Sequence, residues 1–336
     1  MINNMLKETL INTVARLMTP GKGILAIDES LPTCNKRFEK LGVPTTEEKR
    51  RDYRELLITA PEIEKYISGY ILFDETIRQS TKDGKSFTSI MQLKEVDIGI
   101  KVDTGTMDFK GNPGEKITEG LERLSERLKE YKTIGATFAK WRAVYTVGAN
   151  TPSEDCMKEN AVRLAKYAVL CQELNIVPII EPEVLLDGDH GVEKCREVTA
   201  HNLDILFSEL KKQEVFIPGI ILKTGMVMPG KGANEKVTPE KIAEMTIRCL
   251  KEYVPEEIGG IVFLSGGQED LEATVNLNAM HKVGSLPWPL TFSYGRAIQN
   301  PALQSWAKNP EDISSAQALL LERAKANSLA SVGEYK

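Results

Sequence analysis

Histidine is nearly absent from this chain of 336 residues, with three copies and no paired metal-ligand spacing. Cysteine is sparse and unpaired: Cys34, Cys156, Cys171, Cys195 and Cys249 are scattered, odd in number and contain no Cys-x-x-Cys. These two scarcities exclude a zinc motif and a disulfide framework, and predict five reduced, buried small side chains. Basic charge is not in excess either. The formal net charge is -5 and no basic tail occurs, which excludes a general nucleic-acid surface. No apolar run approaches the roughly 20 residues of a membrane span, and the amino terminus lacks the unbroken apolar core of a signal peptide. The expectation is a cytoplasmic protein with no membrane partner. Proline- or serine-rich linkers, repeats and low-complexity tracts are also missing, so residues 1–336 read as one domain.

What is present fits a globular α/β protein, with 41% hydrophobic and 27% charged residues. Residues 1–20 place Leu6, Leu10, Val14 and Leu17 at helical spacing, predicting an amphipathic surface helix. Eight short apolar runs follow, at 23–27, 67–73, 98–102, 137–145, 176–183, 217–223, 260–264 and 290–294. Helix-start signals lie between them at Thr46-Glu47-Glu48, Thr118-Glu119, Thr151-Pro152-Ser153-Glu154 and Thr238-Pro239-Glu240. Continuous rather than alternating hydrophobicity indicates a parallel sheet covered by helices. Eight repeats of the alternation favour a closed (β/α)8 TIM barrel.

A barrel of this kind works at the carboxyl ends of its strands. Polar groups stand there in seven of the eight runs: Asp28-Glu29-Ser30, Lys101 with Asp103, Lys140 with Arg142, Glu181 with Glu183, Lys223, Ser265-Gly266-Gly267, and Ser293 with Gly295-Arg296. Residues two apart on a strand point the same way, so Lys101/Asp103, Lys140/Arg142 and Glu181/Glu183 are same-face pairs. Three lysines and several carboxylates then share one mouth.

A buried lysine without excess proton is a nucleophile for a carbonyl carbon, and the imine it forms is an electron sink for breaking a neighbouring carbon–carbon bond. Lys223 is the candidate, because its run is the most apolar and ends in a single lysine. Asp28 and Glu181 are the candidate proton acceptors, while Glu183, paired with a lysine, would stay ionised and orient its neighbours. Gly266-Gly267 and Gly295-Arg296 fall in the loops where barrels hold phosphate. Lys36-Arg37 is either a second phosphate site or a solvated helix charge.

Two lookalikes are set aside. Gly225-Met-Val-Met-Pro-Gly230-Lys231 fits the start of a nucleotide-binding P-loop, but Gly232 replaces the Ser/Thr that would hold magnesium and the next helix signal waits until Thr238. A mobile loop is expected there. Asp187-Gly-Asp189-His190 is expected to be a capped turn rather than a metal site.

The motifs Gly21-Lys-Gly-Ile-Leu-Ala-Ile-Asp28-Glu-Ser30, Gly99-Ile-Lys101-Val-Asp103, Ala139-Lys140-Trp-Arg142, Glu181-Pro-Glu183, Phe263-Leu-Ser265-Gly-Gly-Gln268 and Phe292-Ser-Tyr-Gly-Arg296 together resemble class I fructose-1,6-bisphosphate aldolase. The resemblance runs from the amino-terminal helix through Ala326-Asn-Ser-Leu-Ala330. It implies reversible cleavage of fructose 1,6-bisphosphate through a Schiff base on Lys223, with Asp28 as base for the C4 hydroxyl and Glu181 as proton shuttle. Glu183, Lys101 and Lys140 would support the charge balance. Ser265, Gly266, Gly295 and Arg296 would hold the C1 phosphate, and Arg37 with Lys101 the C6 phosphate, with Arg142 and Ser293 also facing substrate. The resemblance further implies no metal or cofactor, sugar phosphates as the small-molecule partners, and a homotetramer. An aldolase of another sugar phosphate, such as sedoheptulose 1,7-bisphosphate, and a non-catalytic scaffold are the rivals. Thr224-Gly225 stands where the family usually has Pro-Asn, and Thr33 where a serine often contacts phosphate. The eukaryotic members' longer carboxyl-terminal tail ends in a tyrosine that assists proton transfer, whereas here residues 327–336 read as a short tail whose Tyr335 does not match it.

Overall fold

A computed structural model describes residues 2–336. Its ten strands are β1 (Gly23–Ile27), β2 (Ile67–Leu72), β3 (Asp97–Lys101), β4 (Gly105–Asp108), β5 (Lys116–Glu119), β6 (Phe138–Tyr145), β7 (Val177–Val184), β8 (Ile221–Thr224), β9 (Gly260–Phe263) and β10 (Leu290–Tyr294). Eight of them close into a barrel in the order β1-β10-β9-β8-β7-β6-β3-β2, every neighbour parallel. The expected (β/α)8 architecture is therefore present, with β4 and β5 forming a separate antiparallel hairpin.

Each barrel strand carries apolar residues on both faces because it faces two cores. Ile24, Ala26, Ile71, Phe138, Val177, Ile179, Ile221 and Val262 point inward. Their sequence neighbours, such as Leu25, Ile27, Ile180, Leu222 and Ile261, pack outward beneath the helices. Aromatic side chains fill the space where glycine leaves room: a Cβ at Gly99 would run into the Phe138 ring inside the barrel, and one at Gly23 into Phe292 in the outer core.

The amino-terminal helix, Asn4–Leu17, does more than cover the surface. Leu10, Val14 and Leu17 are buried and join the inner core, so the helix plugs the bottom of the barrel and leaves only the carboxyl end open. Thr46, Ser153 and Thr238 cap their helices as expected, each accepting from the backbone N–H three residues on. All five cysteines are buried and free. No described helix is long and apolar enough to cross a membrane.

Three local expectations are corrected. Thr118-Glu119 starts no helix: Thr118 lies in β5, its hydroxyl donating to the Arg142 carbonyl and its N–H to Asn160, and the next helix is Leu124–Ile134 after a left-handed Arg123. The run at 217–223 is only half strand, since Pro218 has no N–H for a ladder and Ile217–Gly219 makes a 3-10 turn. The helix Ile313–Ala330 carries regular structure past 327, so the tail outside helices is 331–336. Its Tyr335 exchanges two backbone hydrogen bonds with the Asn278 side chain.

Candidate active site

The two-residue period of a strand decides which groups reach the open mouth. On four strands the last inward apolar residue is followed two positions later by a charged one: Ala26 by Asp28, Phe138 by Lys140, Ile179 by Glu181 and Ile221 by Lys223. These lie in a cleft of about 1180 Å3 lined also by Lys101, Arg142, Glu183, Thr33, Arg37, Ser265, Gly266, Ser293, Gly295 and Arg296. With the exception of Gly267, the sequence-expected site residues thus line one cavity. Asp74, at the end of β2, joins them. It carried no separate signal in the sequence, because an acid in a first helical turn reads as a cap.

At the floor, a lysine–carboxylate chain crosses the barrel. Lys140 Nζ lies 2.8 Å from Asp28 Oδ2 and 3.1 Å from Glu181 Oε2, and Lys223 Nζ lies 3.2 Å from Glu181 Oε1. Lys140, Glu181 and Lys223 are all more than nine-tenths buried, so the charges are taken out of water together. Glu181 Oε2 nonetheless makes no well-directed hydrogen bond, and Ser293 Oγ has no partner at all.

The charges fix the protonation states. Burial pushes the Asp28 carboxyl up, but the nearby Lys140 and Lys223 side chains outweigh it and hold the pKa lowered to about 2. The Glu181 carboxyl is lowered in the same way, burial opposing and Lys140, Lys223 and Arg142 winning. Burial alone would deprotonate Lys140, yet Asp28 and Glu181 raise its pKa, so Lys140 stays an ammonium.

This makes a stability prediction with a definite sign. Asp28 has an ordinary unfolded value of about 3.9, so its ionised form adds about 2–3 kcal/mol that is fully present above that pH and disappears as pH falls through the folded value. The unfolding free-energy difference between wild type and Asp28→Asn, from urea titrations, should be constant from pH 5 to 7 and shrink toward pH 2. A difference that stays constant down to pH 2 would contradict the ion-pair account.

Glu183 pairs with an arginine, not a lysine. Arg142 Nε donates to Glu183 Oε2 at 2.5 Å, because β6–β7 register sets Arg142 beside Glu181 and within a diagonal step of Glu183. Lys101 is meanwhile held by its own neighbour, Nζ donating to the Asp103 carboxylate and, at 2.8 Å, to its carbonyl. Arg37 lines the cleft while its guanidinium bonds Glu29, Gln299 and Asn300, and Glu29 is shared with Arg54. Thr33 Oγ1 bonds Ser30 Oγ at 3.0 Å.

On the opposite wall, Gly266 and Gly267 take successive left-handed φ values of +56° and +90°, a conformation that points consecutive N–H groups to one side. The helix Arg296–Lys308 begins beside them, its first N–H groups and the Arg296 guanidinium facing the same cleft. The loop expected to be mobile is instead pinned: Gly230 N–H donates to the His190 carbonyl, Lys231 N–H to Leu186 and Gly232 N–H to Gly188, at 2.7–2.8 Å. Among the described residues no group of three His, Cys, Asp or Glu could hold a metal ion.

A parallel eight-stranded barrel whose floor holds a buried lysine against carboxylates, with an anion cradle on one wall, defines the lysine-dependent aldolases. Residues 9–336 match the family model of the glycolytic class-I fructose-bisphosphate aldolases, and the chain belongs to that family. A probable fructose-bisphosphate aldolase class 1 of Xanthomonas campestris is 53% identical over 98% of this chain and 99% of its own. The cytosolic fructose-bisphosphate aldolase 4 of Arabidopsis thaliana is 50% identical over 97% of this chain and 84% of its own. The fructose-bisphosphate aldolase of Plasmodium falciparum, solved in a ternary co-crystal with TRAP and a small molecule inhibitor, superposes with a TM-score of 0.98 at 42% identity, covering 100% of this chain and 97% of that one. The activity is reversible aldol cleavage of fructose 1,6-bisphosphate to dihydroxyacetone phosphate and glyceraldehyde 3-phosphate, through a lysine Schiff base.

Proposed function

We propose that Lys223 is the lysine that forms this Schiff base, and that Glu181, Asp28 and Lys140 divide the proton and charge work around it. The observation that supports this most is Glu181 wedged between the two lysine nitrogens, 3.2 Å from Lys223 and 3.1 Å from Lys140. A proton leaving Lys223, or entering the carbinolamine hydroxyl as water departs, has Glu181 as its nearest carrier. Lys140, locked as an ammonium, is unsuited to attack and instead holds Asp28 and Glu181 ionised. The iminium draws electrons from the C3–C4 bond while Asp28 accepts the C4 hydroxyl proton. A weakly basic carboxylate suffices, because that proton becomes strongly acidic as the hydroxyl turns into an aldehyde. The iminium supplies the electron sink, so the reading assigns no role to a metal or cofactor.

Ser265, Gly266, Gly295 and Arg296 hold the C1 phosphate in this reading, and Arg37, Lys101 and Thr33 the C6 phosphate. Arg142 and Glu183 brace Glu181, and Ser293 meets a substrate hydroxyl. The chain acts as one domain, in the cytoplasm, as the naming of its plant relative suggests, and assembles as a homotetramer by family resemblance.

Fructose 1-phosphate, which lacks the C6 phosphate, separates the two phosphate assignments. Arg37→Ala should raise KM for fructose 1,6-bisphosphate about 10- to 100-fold and leave fructose 1-phosphate turnover unchanged, whereas Arg296→Ala should impair both. Equal losses on both substrates in Arg37→Ala would overturn the C6 assignment.

A further inference from the structure

The sequence carries the opening of a P-loop at Gly225–Lys231 and then breaks the pattern at Gly232. As a nucleotide site it fails, yet its lysine is not idle. The three backbone bonds that tie Gly230, Lys231 and Gly232 to the 186–190 turn fold the loop back over the mouth of the barrel. The Lys231 side chain then reaches the other wall. A Cβ placed on Gly267 would lie 2.7 Å from Lys231 Nζ and 3.8 Å from Arg296 Nη2. Both cations therefore approach the same glycine, whose missing side chain leaves them room.

Two exposed cations that share one glycine, beside the N-terminus of the Arg296–Lys308 helix, make this rim of the cleft positive. Neither Lys231 nor Arg296 has a carboxylate within ion-pair distance among the described residues. Asp270, the acid that feels Arg296, accepts a hydrogen bond from Asn300 and sits in the first turn of its own helix. An anion is the ligand such an arrangement fits. Arg296, which shares Gly267 with Lys231, is one of the residues assigned above to the C1 phosphate, and Gly266 is its chain neighbour.

We propose that Lys231 is a phosphate ligand of this enzyme, an ammonium that the 225–238 loop delivers to the cradle of Gly266, Gly267 and Arg296 to grip the C1 phosphate of the substrate. The proposal rests on the C1-phosphate reading and adds to it a group from a different loop. Because that loop leaves β8 directly after Lys223, the strand that carries the nucleophile also carries a hand on the phosphate of the same substrate. Lys231 is exposed, and its ammonium is steered by a pinned backbone on one side and an open glycine on the other.

The test compares two carbonyl substrates that differ only by the phosphate. Wild type, Lys231→Ala, Lys231→Arg and Arg296→Ala are each incubated with dihydroxyacetone phosphate or with dihydroxyacetone, and the rate of borohydride-trapped adduct is measured against substrate concentration. Lys231→Ala should lower the second-order trapping rate for dihydroxyacetone phosphate roughly three- to tenfold and leave that for dihydroxyacetone where it was, with Lys231→Arg restoring most of the loss. Equal falls on both substrates would mark Lys231 as a prop for the loop and overturn the proposal. An unchanged Lys231→Ala beside an Arg296→Ala that has lost its preference for the phosphorylated substrate would overturn it too, while sparing the C1 cradle. An Arg296→Ala that keeps that preference would overturn the cradle reading itself.

Discussion

Lys223→Met is expected to yield a folded protein whose turnover of fructose 1,6-bisphosphate falls about 10^5-fold, because no other amine in the cleft can take the place of the imine. The fold should survive. Methionine matches the volume of the lysine stem, the site lies at the end of β8 among Leu222 and Thr224, and Glu181 keeps Lys140 as a counter-ion. What is lost is the covalent intermediate. Lys140 cannot substitute, since Asp28 and Glu181 hold it protonated, and Lys101 spends its donors on Asp103. Circular dichroism and a stopped assay at high enzyme concentration check both halves. A variant that retained a tenth of the wild-type rate would place the nucleophile elsewhere.

Lys140→Met should be damaging in a different way. It removes the ammonium from between two buried carboxylates, leaving Asp28 without its 2.8 Å partner and Glu181 with Lys223 alone. Breaking a buried network from one side costs about 3–5 kcal/mol, so the midpoint of unfolding should fall by several degrees or more. The chemistry should suffer as well, by about 10^3-fold in kcat. Its signature is in the pH profile: without Lys140 both carboxyls become less acidic, so the acid limb of kcat should move toward neutral pH. The same loss of rate with an unmoved acid limb would mean that Lys140 acts by contact with substrate rather than by setting its neighbours' charge.

The barrel was legible in the sequence because its strands face two cores, so each run is apolar on both faces until its carboxyl end, and because the helix caps at Thr46, Ser153 and Thr238 are local chemistry. The site was legible for the same reason: the period of two carries an inward apolar residue to an inward charge at Asp28, Lys140, Glu181 and Lys223. What escaped depends on partners far away in sequence. The β4–β5 hairpin is short and polar, held by Asn160 and the Arg142 carbonyl rather than by its own pattern. Glu183 looked like the partner of a lysine until the register of β6 against β7 gave it Arg142. The amino-terminal helix showed its apolar stripe but not that the stripe would plug a barrel. Lys231 was set aside with the failed P-loop, since no local signal shows that the loop folds back onto Gly267.

Borohydride trapping tests the central claim most directly. The protein is incubated with dihydroxyacetone phosphate in the presence of a chelator, reduced, digested and mapped by mass. The account predicts one stable adduct, on Lys223, at near one per chain. An adduct on Lys140 or Lys101, or a folded and active protein that traps none, would contradict it.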